Sequence, residues 1–253
     1  MRAARVTNPE DVRPFLDEDP VANAFPSFRI FTVRDEAHVD GFPPEAVLSV
    51  GRLPGGAPFR FCTLHATDRS AAESVLEALP PGPAFLFLTE TWHLDLVQAR
   101  AAVNDTRPSW LFRWDADDFV DAEEHDARPV GPEWAGQIAK WWDPENPVEP
   151  YVRSRLEQGL SRGIYDGDRL VAWYATHVET DEVVIMGFLH VLDAYRRKGY
   201  ARSLSCALAK EIFRRGKIPA CHVYLDNGPS IRLMESLGLR KMKQQVFTGA
   251  DIR

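Results

Sequence analysis

Cysteine is scarce. The 253 residues hold three, Cys62, Cys206 and Cys221, an odd number with no Cys-x-x-Cys spacing. That argues against a disulfide framework or a cysteine-rich zinc site and predicts thiols in a reducing compartment. Long apolar runs are also missing: nowhere do about 18 uninterrupted apolar residues occur, so no membrane-spanning helix and no membrane partner are expected. The opening "MRAARVTNPEDV" has no apolar segment followed by small residues, which predicts no secretory leader and a cytoplasmic location. A surplus of positive charge is absent too. The balance is −7, against the extended basic surface that nucleic-acid binding needs. Glu90, His93 and Asp95 stand too close together in sequence to make a convincing metal set, so no metal is expected.

The charge that is present is unevenly spread. From Arg196 to the end lie thirteen Lys/Arg and only four Asp/Glu, so the acidic excess falls entirely on the preceding residues. A basic run is most often a solvated face. Inside an otherwise acidic chain it also suits a local site for an anionic ligand.

Pattern and punctuation predict an α/β protein of two lobes. Asn8 and Pro9 in "NPEDVRPFL" read as a helix start. "AVLSVGRLPGGAPFRFCTLHA" reads as two strands about a turn at Gly55-Gly56, "DRSAAESVLEAL" as a helix and "AFLFLT" as a buried strand. The acidic "DADDFVDAEEHDAR" is taken as the link, which places an N-terminal α/β lobe at 1–124 and a second domain at 125–253. The stretches from Ala4 and from Ala127 echo each other, each with Ala-Arg, Pro-Glu, a helical piece and Asp-Pro, so the first lobe is a candidate degenerate repeat of the second. Beyond the link, "YVRSRLEQGLSRG" reads as a helix and "IYDGDRLVAWYATHV" as a hairpin turning at Asp166-Gly167. "VVIMGFLHVL" reads as a mid-sheet strand. A helix carrying Ala201, Leu204, Leu208 and Ile212 on one face follows, ended by Gly216. A strand "ACHVYLD", a helix "NGPSIRLMESLG" and a closing strand "LRKMKQQVF" complete the chain.

Between the apolar strand and the Ala201 helix stands "DAYRRKGYARSL". Three cations, Arg196, Arg197 and Lys198, precede Gly199, and Tyr200, Ala201 and Arg202 open the helix. A helix start leaves backbone N–H groups unpaired at the positive end of its dipole, and small residues let a phosphate reach them. The spacing Arg-x-x-Gly-x-Ala after an apolar strand therefore points to phosphate binding.

These residues resemble the acyl-CoA-binding motif of the GNAT (GCN5-related) N-acetyltransferase superfamily. "DNGPSIRLMESLGL" resembles its next motif, with Asn227, Ser230, Leu237, Gly238 and Leu239 in matching places. The likeness is greatest to the glycine N-acyltransferase-like branch and covers about residues 160 to 245. The resemblance implies a C-terminal GNAT fold, a mixed central sheet flanked by helices. It implies transfer of an acyl group, acetyl above all, from acetyl-CoA or another acyl-CoA to a primary amine of a small molecule by direct attack. The main chain of Val191 would pair with the pantetheine arm, and an N–H near Leu189 or Val191 would hold the oxyanion. N–H groups from Arg197 to Arg202 would take the pyrophosphate, Arg196 and Lys198 would add charge, and Asn227 would meet the pantetheine with Ser230 nearby.

Two departures stand out. Seven residues after the motif asparagine, many such enzymes have a tyrosine that protonates the leaving thiolate; here it is Met234, and Gly238-Leu239 replaces the usual Gly-Phe. For the general base, Glu182 and His190 are alternatives, with His177 third. Trp141 and Trp142 could line an acceptor pocket or belong to the core. The rival readings are a catalytically silent acyl-CoA-binding module and a protein or peptide acetyltransferase; a second copy of the chain is a candidate partner.

Overall fold

Asn8 does start a helix: its side chain accepts the Glu10 N–H, and the 3-10 turn Pro9–Val12 runs into α1 (Arg13–Leu16). The computed structural model describes residues 3–145 and 147–253, which fall into two compact units. One takes the chain up to Leu111 together with Tyr224–Asp226 and Met242–Arg253; the other takes Phe112–Val223 and Asn227–Lys241. The boundary expected near Glu124 thus lies inside the second unit, and most of the last strand belongs to the first.

The first unit contains β1 (Ala4–Arg5), α1, α2 (Ala24–Ser27), β2 (Glu36–Val39), β3 (Ala46–Gly51), β4 (Arg60–Ala66), α3 (Arg69–Leu76), β5 (Gly82–Leu88), α4 (His93–Gln98) and most of β6 (Ala101–Arg113). Strands β1 to β4 pair antiparallel in sequence order, and β5 returns through α3 to lie parallel to β4. Leu64, Leu86 and Leu88 on the sheet and Ala72, Val75 and Leu76 on α3 bury completely or nearly so in one core. At about 25 cal/mol per Å² of apolar surface removed from water, such a core is the main stabilising contribution.

The second unit contains α5 (Ala135–Trp142), α6 (Glu149–Gln158), β7 (Ser161–Asp166), β8 (Arg169–Glu179), β9 (Val183–Val191), α7 (Tyr200–Arg214), all but the last residue of β10 (Ile218–Tyr224), α8 (Gly228–Ser236) and the start of β11 (Arg240–Ile252). β7, β8 and β9 are antiparallel, and β10 returns through α7 to lie parallel to β9. From β2 in the first unit and from β7 in the second, the chain therefore runs three antiparallel strands, a helix, a parallel strand, a helix and a strand. β11 then pairs antiparallel with β5, from Val246↔Leu88 to Ile252↔Gly82. One expected element is shorter than its pattern suggested. The helix over "YVRSRLEQGLSRG" ends at Gln158 because Gly159 is extended, and Ser161–Gly163 already pair with Trp173–Ala175. Among the described residues no helix is long and apolar enough to cross a membrane.

Candidate active site

β9 lies between β8 and β10, and its first four residues are buried, as its unbroken apolar run predicts. Its parallel pairing with β10 runs from Val183↔Ile218 to Met186↔Cys221 and stops there. Both strands continue, β9 to Val191 and β10 to Tyr224, so a gap opens from Gly187 onward. On the other side of β9 the register with β8 shifts between Trp173↔His190 and Ala175↔Gly187. Phe188, within that shift, has φ 61°, a left-handed conformation that a bulky side chain rarely adopts. His177, at 4.1 Å between ring centres, and Trp142, at 4.9 Å, hold the Phe188 ring. The strand is bent at the level where the gap opens.

The basic turn follows directly. After a 3-10 turn at Asp193–Tyr195, Arg197 (φ 65°) and Gly199 (φ 81°) are both left-handed. Left-handed residues in a turn swing successive N–H groups to one side, forming a concavity that suits an anion. Ser203 N–H then bonds the Gly199 carbonyl, so the N–H groups of Tyr200, Ala201 and Arg202 precede the first helical bond of α7. A side chain at Gly199 would point at His125 Nε2 (3.4 Å) and Glu124 Oε2 (3.6 Å). The cations are not all turned outward. Arg196 donates from Nε to the Val191 carbonyl (3.3 Å) and pairs with Asp193 (2.9 Å). Lys198 lies over the Tyr195 ring (5.1 Å), whose hydroxyl bonds Asp166 (2.6 Å). Arg197 is exposed, and Arg202 donates to Ser236 of α8 (2.8 Å).

The three candidate bases sit in different places. Glu182 is exposed and precedes β9, at the end opposite the turn. The gap opens five residues further on, at Gly187, about 16 Å away at ~3.3 Å per residue, beyond the length of the Glu182 side chain. His190 lies between Trp141 and Trp173, at 4.8 and 4.9 Å between ring centres. Its Nε2 is buried without a hydrogen-bond partner. Burial and, after it, nearby Arg196 lower its pKa, so the ring is neutral near pH 7 and can accept a proton. His177 takes a hydrogen bond with the Tyr151 hydroxyl (3.0 Å), and burial drives its pKa down to about 3, far from a useful proton acceptor at neutral pH. Trp141 and Trp142, at the end of α5, are each about half exposed and cover His190 and His177.

At the far side, Asn227 caps α8: its Oδ1 accepts the Ser230 N–H (3.2 Å), leaving the Nδ2 side of the amide as donor. Met234 is 1% exposed and packed in the interior. Phe188, Glu124 and His125 were not legible as site residues. No local pattern marks a bulge, and the two acidic-segment residues come to Gly199 from 74 and 75 positions earlier.

The corresponding place in the first unit is closed. β4 and β5 stay paired from Arg60↔Ala84 to Leu64↔Leu88, and Thr89 N–H adds a bond to the Leu64 carbonyl. The α3 start is capped by Asp68, whose carboxylate accepts the Ala71 N–H (2.9 Å). A strand pair without a gap and a helix start holding its own carboxylate leave no room for a phosphate.

Residues 161–248 match the model of the FR47-like protein family. No curated protein matches the sequence. A Drosophila protein solved by structural genomics superposes with a TM-score of 0.77 at 16% identity, covering 98% of each chain. A GCN5-related N-acetyltransferase from Sphaerobacter thermophilus superposes at 0.63 and 16% identity, covering 100% of this chain and 96% of its own. The fold is that of the GNAT acetyltransferases. A tandem GNAT protein from the clavulanic acid biosynthesis pathway superposes at 0.54 and 15% identity over 99% of this chain and 98% of its own. The GNAT likeness thus extends over both units and is one of fold.

Proposed function

We propose that the second unit transfers an acyl group, acetyl above all, from acyl-CoA to a primary amine of a small molecule, by direct attack in a ternary complex. The observation that carries this reading is the parting of β9 and β10 after Met186↔Cys221, beside the turn of left-handed residues that opens α7. An extended pantetheine arm needs an unpaired strand edge, and a pyrophosphate needs unpaired N–H groups. Here the two adjoin. Leu189 and Val191 offer the strand edge and the oxyanion donor, once Arg196 releases the Val191 carbonyl to turn its charge toward the phosphates. Gly199 through Arg202 offer the N–H groups, and Asn227 a side-chain donor from α8.

His190 is the base this reading favours. It is neutral and lies four residues beyond Met186, the last β9 residue paired with β10, on the strand that borders the gap. Met234 in place of the usual tyrosine leaves the thiolate to be protonated by another group or by solvent; the glycine N-acyltransferase-like branch that the sequence resembles often lacks that tyrosine too. Its deep burial also favours the second reading, an acyl-CoA-binding module without turnover.

Calorimetric titration with acetyl-CoA, on the parent and on Gly199→Glu, tests the site. Binding by a folded parent and its loss in an equally folded variant are expected, since a side chain strains this left-handed position and sets a second carboxylate beside Glu124 at the turn. No binding by the parent would sink the assignment. Thiol release across a panel of amines then separates an enzyme from a silent binder.

A further inference from the structure

The acidic stretch between Trp114 and Arg128 has the composition of a tether, yet it is built onto α7. Its residues meet the helix in reverse order, about one turn at a time. Lys210 pairs with Asp121 (2.7 Å) and Glu123 (2.9 Å). Cys206 Sγ accepts the Ala122 N–H (3.3 Å), and Ser203 Oγ accepts the Glu124 N–H (2.9 Å). The last rung is His125, whose Nε2 bonds the Lys198 carbonyl (2.7 Å) and whose ring meets Tyr200 edge-on at 4.7 Å. This rung ends the segment at the anion-binding turn itself.

Lys198 is the residue between the two left-handed ones, so a bond to its carbonyl fixes the peptide plane that joins Lys198 to Gly199. The Nε2–H that donates to this carbonyl holds the next N–H, that of Gly199, in the turn. Glu124 acts in the other direction. Its carboxylate stands against Gly199, 3.6 Å from where a side chain there would begin, and a diphosphate on the same turn meets a like charge. We propose that Glu124 and His125 belong to the diphosphate site and set its affinity in opposite senses: His125 as a positioning residue that holds the turn, Glu124 as a fixed repulsion that keeps binding loose. This rests on the acyl-CoA reading above.

The experiment compares acetyl-CoA with S-acetylpantetheine, which lacks the phosphates, by calorimetry on four folded proteins: parent, Glu124→Gln, His125→Ala and Glu123→Gln. Glu124→Gln should tighten acetyl-CoA severalfold and His125→Ala should weaken it at least fivefold, both leaving S-acetylpantetheine unchanged. Glu123→Gln, whose partner Lys210 lies further down α7, should change neither ligand. The Glu124 effect should shrink at high salt, as a partly exposed charge repulsion does. Equal acetyl-CoA affinity in Glu124→Gln and parent would overturn the proposal. So would a His125→Ala loss shared by both ligands, which would mark general damage to the unit. A parent that binds no acetyl-CoA would instead overturn the functional reading.

Discussion

In the proposed acyl transfer, burial more than any charged neighbour prepares His190 to accept a proton. Two tryptophan faces desolvate it, Nε2 is left with no hydrogen bond to give up, and the cation of Arg196 further disfavours the protonated form. A neutral ring near pH 7 accepts a proton without first having to lose one. His190→Gln should therefore lower kcat by about 10²-fold or more, the usual contribution of a positioned base, while acetyl-CoA affinity stays within about twofold of the parent. The parent kcat should rise with pH through a midpoint below 6.5, and the variant should lose that limb. Equal kcat in both would return the base to solvent. Arg196 makes a second, opposite prediction. Removing it should raise the pKa of His190 and move the midpoint upward, even as binding weakens.

Among the elements, the end of α8 carries a constraint that the motif Leu237-Gly238-Leu239 only hinted at. Gly238 is left-handed (φ 89°), and the Leu239 N–H closes back on the Met234 carbonyl. A Cβ at Gly238 would lie 2.1 Å from the Asp118 carbonyl oxygen, a main-chain atom that cannot rotate away. Gly238→Ala should cost more than about 2 kcal/mol, combining left-handed strain with overpacking, read as a lower midpoint in urea at unchanged m-value. A midpoint equal to the parent's would show that the loop at Asp118 yields freely. Local signals such as this glycine, the Asn8 cap and the apolar period of α7 were legible because each acts within a turn or two of its own residue. What was not legible depends on distant partners. The acidic stretch reads as a link because nothing within it shows that Ser203 and Cys206 will bond its backbone. Glu182 reads as close to the gap only until strand length is converted into distance.

For the whole molecule, the two units share one order of elements, but only one opens its parallel strand pair. Calorimetry should therefore find one acetyl-CoA per chain, and Asp68→Ala should weaken α3 by about 1 kcal/mol, the usual contribution of a helix cap, with no change in that stoichiometry. Two sites per chain would show that β4 and β5 part after all. Both units also share a sensitivity to acid. Burial lowers the pKa of His65 to about 4 and of His93 to about 3 in the first unit, and of His177 to about 3 in the second. Unfolded, each titrates near 6.5, so below that pH the unfolded chain holds more protons and stability falls as pH falls. Each histidine removes about 1.4 kcal/mol per pH unit between ~6.5 and its folded value, while buried Asp35, whose pKa is raised by desolvation, offsets a part. The Tm should drop steeply from pH 7 to pH 5, and His65→Gln should flatten that dependence by one proton's slope. An unaltered slope would mean that His65 is already solvated before unfolding.

The last rung of the β9–β10 ladder is a thiol. Cys221, opposite Met186, is 2% exposed, and burial pushes its pKa up to about 12. A thiol in that state reacts with iodoacetamide at neutral pH only when the structure around it opens. Its alkylation rate is then a clock for local opening beside the gap. A ligand lying along β9 should slow that clock while leaving Cys62, in the core of the first unit, ticking at its own pace.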